Sequence, residues 1–181
     1  MSNLKELTWE HHKNAERQKF VKELMSGNIS PERYATYLYN QYLMYKELEQ
    51  VATELSLLDD LKAVKRTDAI LKDFNELWLA LTPPITMPVT AEYIDHINSI
   101  KDDANKVMAH IYVRHMGDLS GGQMIAKRVP GSKRFYEFSE DVPTLKEKIR
   151  SKLDDSMADE AKICFDFATK TFQQMTADLI C

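Results

Sequence analysis

Apolar residues recur along this chain at three- and four-residue intervals, the spacing that gathers them on one side of an α-helix. Leu4, Leu7, His11 and Ala15 form such a stripe, and Phe20, Val21, Leu24 and Met25 continue it, so a helical region is predicted over 3–26, ending at Gly27. Ser30-Pro31-Glu32-Arg33 predicts a helix start, with serine as cap and proline in the first turn. The helix from Pro31 to Leu55 is expected to bury Tyr34, Leu38, Tyr45, Leu48, Ala52 and Leu55 on one face. Tyr39 and Tyr42 fall off that face, either as surface residues or as the lining of a second buried surface such as a ligand pocket.

A further helix or two is predicted over 60–81, where Leu61, Val64, Ile70, Leu71, Phe74, Leu77, Trp78 and Leu81 are apolar. The proline-rich stretch from Leu81 to Pro88 reads as a loop. Thr90 is expected to cap the next helix, with Tyr93, Ile94, Ile97 and Ile100 inward. Val129–Ser132 reads as a turn, Phe135–Phe138 as an aromatic plug, and Thr144–Leu153 and Met157–Leu179 as the last two helices. No alternation of strand type persists and no segment repeats. The fold class is all-α, a single domain over 1–181.

Residues 107–128 break the pattern. Val107, Met108, Ile111 and Met116 are spaced as a helix and Met124 and Ile125 resume it, yet Gly117, Gly121 and Gly122 lie between. Each glycine costs roughly 1 kcal/mol against alanine inside a helix. With only 5 glycines in the chain, three in so short a span mark a kink, a helix crossing or a surface against which something large lies. Asp118 and Ser120 stand among them.

Composition narrows the class. The chain has 181 residues, 44% hydrophobic and 29% charged, with a net charge of −4, and nothing global suggests nucleic acid. Two cysteines, Cys164 and the final Cys181, make neither a disulfide framework nor a thiolate metal cluster and fit a reducing compartment. No signal-peptide core opens the chain and no apolar run reaches the ~20 residues of a membrane span. A soluble protein of the cytoplasm, or of an equivalent stroma, is expected.

A neutral imidazole is the side chain most often found ligating a metal. The five histidines are His11, His12, His96, His110 and His115. Spacing does not choose among them, and it favours His11, which lies in the first apolar stripe. His12 sits about 100° round the same helix.

Gly117-Asp118-Leu119-Ser120-Gly121-Gly122-Gln123 resembles the distal-helix signature of the haem oxygenases, and the likeness extends over most of the chain. The resemblance implies a helical fold with haem between a proximal helix and a glycine-kinked distal helix, the macrocycle resting on backbone that lacks Cβ atoms. His12-Lys13-Asn14-Ala15-Glu16 is similar to the family's proximal segment, which makes His12 the iron ligand and Glu16 the acceptor for its other ring nitrogen, with His11 as rival. By the same resemblance Lys5, Lys146 and Arg150 meet the haem propionates, Tyr112 adds a hydroxyl, Gly121 and Gly122 contact the ring, and Phe165 walls it. Trp9 departs from the family, where a basic residue is common. Asp118 is expected to hold water near dioxygen with the help of Arg114 and Tyr42, while Gly117 and Gly121 crowd the oxygen toward the ring. Without the resemblance, Arg114 and Asp118 read as an ordinary i, i+4 surface pair.

The activity implied is cleavage of haem at a meso carbon, alpha by family habit, to biliverdin, CO and ferrous iron. Haem is then both cofactor and substrate, and dioxygen the co-substrate. No G-x-G-x-x-G nucleotide fingerprint is present, so electrons come from outside. Reduced ferredoxin is the donor the resemblance implies, with a bilin reductase downstream. Ferredoxins are acidic, so Lys127, Arg128, Lys133 and Arg134 are expected in the docking face. Three other readings compete: a haem carrier or sensor without catalysis, a thiaminase-like enzyme using Cys164, and a helical interaction module.

Overall fold

The computed structural model of the chain describes residues 2–177, and these form ten α-helices with short 3-10 turns and no strand. In chain order the helices are α1 (Leu4–Leu7), α2 (Trp9–Glu16), α3 (Lys19–Met25), α4 (Pro31–Glu54), α5 (Thr67–Leu77), α6 (Pro88–Ser99), α7 (Ala104–Leu119), α8 (Gly122–Ile125), α9 (Val142–Arg150) and α10 (Ala158–Thr176). The expected end of the last helix at Leu179, and Ile180 and Cys181, lie outside the described residues. Among the described residues no helix is long and apolar enough to cross a membrane.

The region expected over 3–26 is three helices. Thr8 ends α1 by turning its hydroxyl onto the Leu4 carbonyl at 2.8 Å. Gln18 takes an extended backbone (φ −67, ψ 146) and covers the Asn14 carbonyl with its side-chain amide at 2.9 Å. Both breaks are made by side chains satisfying helix-end groups rather than by glycine or proline. The helix α2 buries only Ala15, whereas α3 buries Phe20 and Leu24.

The long helix α4 is the axis. Ser30 Oγ accepts from the Arg33 N–H at 3.2 Å, as the sequence predicts. Its expected face is buried through Ala52, and Leu55, just past its end, is half-buried. Twelve of its residues are buried, because the helix lies between two apolar cores. One core joins it to α6, α7, α9 and α10, and the other to α3, α5 and the Phe135–Tyr136 plug.

Two polar residues of α4 cap other helices from a distance. Asn40 Oδ1 accepts from the Met87 N–H at 2.8 Å and the Thr90 hydroxyl at 2.7 Å. The helix α6 therefore starts at Pro88, and Thr90 is a buried first-turn residue rather than the cap. Glu49 accepts from the N–H groups of Arg66 (2.7 Å) and Thr67 (3.0 Å) at the start of α5. A carboxylate there neutralises orphan donors and the positive helix end together.

Candidate active site

The glycine-rich break sets the site. The helix α7 ends at Leu119, and Ser120 turns the chain (φ −111, ψ −95) into the single turn of α8. Gly117 and Gly121 are exposed, and a Cβ built on either would meet nothing within 4 Å. Bare backbone thus faces open space over a turn of helix, the shape a flat ligand can lie against. Gly122 differs: it is buried, and a Cβ there would fall 2.8 Å from the Tyr136 ring. A side chain at Gly122 would therefore run into the aromatic plug.

Behind the open glycines, α4 and α7 share a buried polar seam. Tyr45 and Glu49, one turn apart on α4, face His115 and Asp118 of α7. The Tyr45 hydroxyl lies 2.9 and 3.0 Å from the two oxygens of Asp118, and His115 Nε2 lies 2.7 Å from Glu49 Oε2. Burial pushes the Asp118 carboxyl up to about 7, against the lowering pull of His115, the Tyr45 hydroxyl and Arg66. Burial likewise raises Glu49, but its bonds to His115, Thr67 and Arg66 bring it below the usual carboxylate range.

Tyr42 was expected to help Asp118 hold water; the tyrosine hydrogen-bonded to Asp118 itself is Tyr45. Tyr42 is half-buried, with the Lys46 ammonium 5.9 Å from its ring. The two tyrosines are three residues apart, about 60° round the helix, which is enough to separate an outward ring from one aimed at α7. Arg114 is no surface partner of Asp118 either. Its guanidinium stacks 4.1 Å from the Tyr93 ring and 5.4 Å from Tyr45, bonds Gln41 Oε1 at 3.2 Å and Met44 Sδ at 3.4 Å, and leaves its buried Nε without a partner.

The two neighbouring histidines part company. His11 Nδ1 lies 2.9 Å from Asp166, an exposed pair. His12 has one ring nitrogen 2.7 Å from Glu16 and its ring stacked on Phe165, centroids 5.2 Å apart and planes 16° apart. Phe165 therefore braces the imidazole. The second nitrogen of His12 carries no protein hydrogen bond among the described residues. Tyr112, on α7 five residues before Gly117, faces Thr8, four residues before His12, which brings α7 against the start of α2.

Of the expected cations, Lys5 lies 6.0 Å from the Trp9 ring, which Lys13 also approaches, at 4.6 Å. On α9, Leu145 and Ile149 pack inward, and Lys146 and Arg150 lie one turn apart, Arg150 exposed with Glu147 at 3.4 Å. Among the expected docking residues, Lys127 and Arg128 are exposed, but Arg134 is engaged by Asp73 (3.4 Å) and Glu76 (3.1 Å). Cys164 has neighbours that its sequence surroundings do not disclose: burial raises its thiol, while His110, Arg114 and Tyr93 alongside draw it down. It is 1% exposed and fronts no open surface, which speaks against the nucleophile of the thiaminase-like reading.

Sequence reasoning missed the Tyr45–Asp118 bond, the Glu49–His115 pair and Arg66. The Arg66 guanidinium donates to the carbonyls of Ala63, Val64, Lys65, Phe135 and Glu137. A charged residue at helical spacing within an apolar face was the available signal for Glu49 and His115; nothing local marked Arg66.

An all-helical body with bare glycine backbone at the end of α7, a buried carboxyl behind it and a carboxylate-bonded imidazole on α2 fits a haem-handling class of protein. The heme oxygenase family model matches residues 1–176, and the chain belongs to that family. A heme oxygenase from Guillardia theta is 31% identical, with 98% of this chain and 86% of that protein covered. The solved heme oxygenase of Leptospira interrogans superposes with a TM-score of 0.82 at 28% identity, covering 93% of this chain and 96% of that one. A cyanobacterial heme oxygenase-1 from Synechocystis, solved in complex with heme, shares the fold with a TM-score of 0.79 at 24% identity, covering 95% and 90%.

Proposed function

We propose that the chain cleaves haem oxidatively at a meso carbon, the alpha position, to biliverdin, CO and ferrous iron, using dioxygen and external electrons. The observation that carries this reading is the pairing of open backbone at Gly117 and Gly121 with the Tyr45-bound carboxyl of Asp118 on the same turn of helix. The residues fit the group. His12 offers the nitrogen that Glu16 leaves free, and Glu16 holds the ring and its tautomer. Lys5, Lys146, Arg150 and Tyr112 are the residues that would take the propionates.

Bound haem supplies both the iron that activates dioxygen and the carbon that is oxidised. The protein supplies orientation and protons. Gly117 and Gly121 remove the side chains that would hold a planar ligand off the helix. Asp118, near half-protonated at neutral pH, can hold a proton or a water at that surface, and Tyr45 fixes both carboxylate oxygens. Arg114 supplies positive charge behind the tyrosines without neutralising Asp118. Electrons arrive at the surface; reduced ferredoxin is the proposed donor, docking on Lys127, Arg128 and Lys133, and a bilin reductase would consume the product.

The decisive experiment is anaerobic haem reconstitution followed by ferredoxin, its reductase and air, with optical spectra followed. Loss of the haem band with growth of biliverdin absorption supports the reading. Haem held unchanged through repeated reduction in air would leave a carrier, and no haem uptake an interaction module.

A further inference from the structure

Away from the glycine-lined cleft, α6, α7 and α10 close on a second group of side chains. His96 Nε2 lies 2.6 Å, and His110 Nε2 2.8 Å, from the same oxygen of Glu160. The three donor atoms fall within 4.8 Å of one another. His110 is wholly buried, Glu160 nearly so, and His96 half-buried. On its far side the His110 ring is fixed by the Tyr93 hydroxyl, 2.7 Å from Nδ1. Glu160 also lines a surface cleft of about 310 Å³, together with Asp103, Lys106, Asp159 and Ile163.

We propose that His96, His110 and Glu160 form a binding site for a divalent transition-metal ion of the zinc class. Two imidazole nitrogens and one carboxylate oxygen are the donor set of such ions, whereas calcium and magnesium take oxygen alone. Three protein ligands leave a fourth position for water, and the cleft that Glu160 lines brings solvent to one of the three ligands. Tetrahedral bonds of about 2.0–2.1 Å hold donor atoms roughly 3.3 Å apart, so His96 would withdraw from Glu160 by about 0.7 Å and His110 by about 0.5 Å.

The proton arrangement suits the exchange. A metal takes the Nε2 lone pair, so the proton of each neutral ring resides on Nδ1. On His110 that N–H then donates to the Tyr93 oxygen, and Tyr93 can direct its own hydroxyl toward Cys164, which lies beside it. The ligands come from three helices, so the ion would tie α6, α7 and α10 together at a point apart from His12 and the open glycines.

Cobalt(II) is the probe, titrated into the full chain without haem and followed by its ligand-field absorption. The native chain should take one equivalent with the intense bands of four-coordinate cobalt. His96→Ala should lose at least about tenfold in affinity, and Tyr93→Phe about 10–100-fold through the loosened His110 ring. His12→Ala, in the other cleft, should bind cobalt as the native chain does. Zinc should displace the cobalt and raise the melting temperature of the native chain but not of His96→Ala. The half-exposed position of His96 lets that variant fold, which its metal-free melting curve checks. Absence of the bands, equal binding by His96→Ala, or loss of binding only in His12→Ala would each overturn the site and leave a hydrogen-bonded His–Glu–His triad.

Discussion

The Tyr45 hydroxyl sits almost equidistant from the two oxygens of Asp118, at 2.9 and 3.0 Å, inside the seam between α4 and α7. A single donor shared this way holds the carboxyl in place without supplying the charge that would keep it ionised. That is why burial dominates and the group titrates near neutrality.

Stability should record that titration. The native Asp118 keeps its proton up to about pH 7, while an unfolded aspartate releases it near 4. Between those limits the folded chain binds more protons than the unfolded one, so its stability falls as pH rises. Relative to the native chain, Asp118→Asn should therefore gain stability from pH 4 to 7, by roughly 4 kcal/mol in total, and gain no more above that. Parallel denaturation curves at pH 5 and pH 8 would show that Asp118 is not held protonated.

Turnover should separate the two tyrosines. Tyr45→Phe removes the donor to Asp118 and should lower biliverdin formation about tenfold or more with haem uptake retained. Tyr42→Phe should leave both within a factor of about two. Asp118→Ala should bind haem and yield little biliverdin. Equal loss at Tyr42 and Tyr45 would count against the seam as the proton-handling element.

The first helix gives a spectroscopic test. His12→Ala should lose the axial-ligand signal of the haem complex and recover it with added imidazole. His11→Ala should change only the exposed pair with Asp166, by no more than about 1 kcal/mol of stability. The reverse result would move the ligand to His11.

The adjacent glycines should behave as opposites. Gly121→Ala adds a methyl into open space and should fold at least as stably, yet bind or turn over haem poorly. Gly122→Ala pushes a methyl against Tyr136, whose ring is stacked on Phe135 at 4.4 Å and has nowhere to go. It should destabilise the fold by about 1–3 kcal/mol. Thermal melts and haem titrations of the two proteins give the comparison.

Charge reversal at Lys127, Arg128 and Lys133 should slow ferredoxin-driven turnover, most at low salt, and spare turnover with a small chemical reductant. Arg134→Glu belongs to a different class, since it breaks contacts to Asp73 and Glu76 and should show as instability instead.

Helix positions were legible in the sequence wherever burial follows a simple period. The face of α4 from Tyr34 to Ala52 and the start at Ser30 are where spacing puts them. Breaks at Thr8 and Gln18 were not legible, because a threonine and a glutamine cap their helices there without the glycine or proline that announces a break. The cap of α6 was misplaced on Thr90 because its true cap, Asn40, comes from another helix. At the site, the family signature pointed to Asp118 and His12, and spacing correctly put Tyr45 on the buried face. What spacing could not convey is that this face is partly polar: pairs such as Tyr45–Asp118 and His110–Glu160 are separated by many residues and meet only through packing.

Consecutive residues of α10 hold consecutive residues of α2: Phe165 stacks on His12, and Asp166 bonds His11. Since α2 buries little else than Ala15, this two-point hasp is much of what latches it to the body of the protein. Whatever seats itself on His12 must then tighten the hasp, so amide protons of residues 9–16 should exchange quickly in the ligand-free protein and slow sharply once the imidazole is engaged. Recognition of the substrate and closing of the amino-terminal segment would be one event.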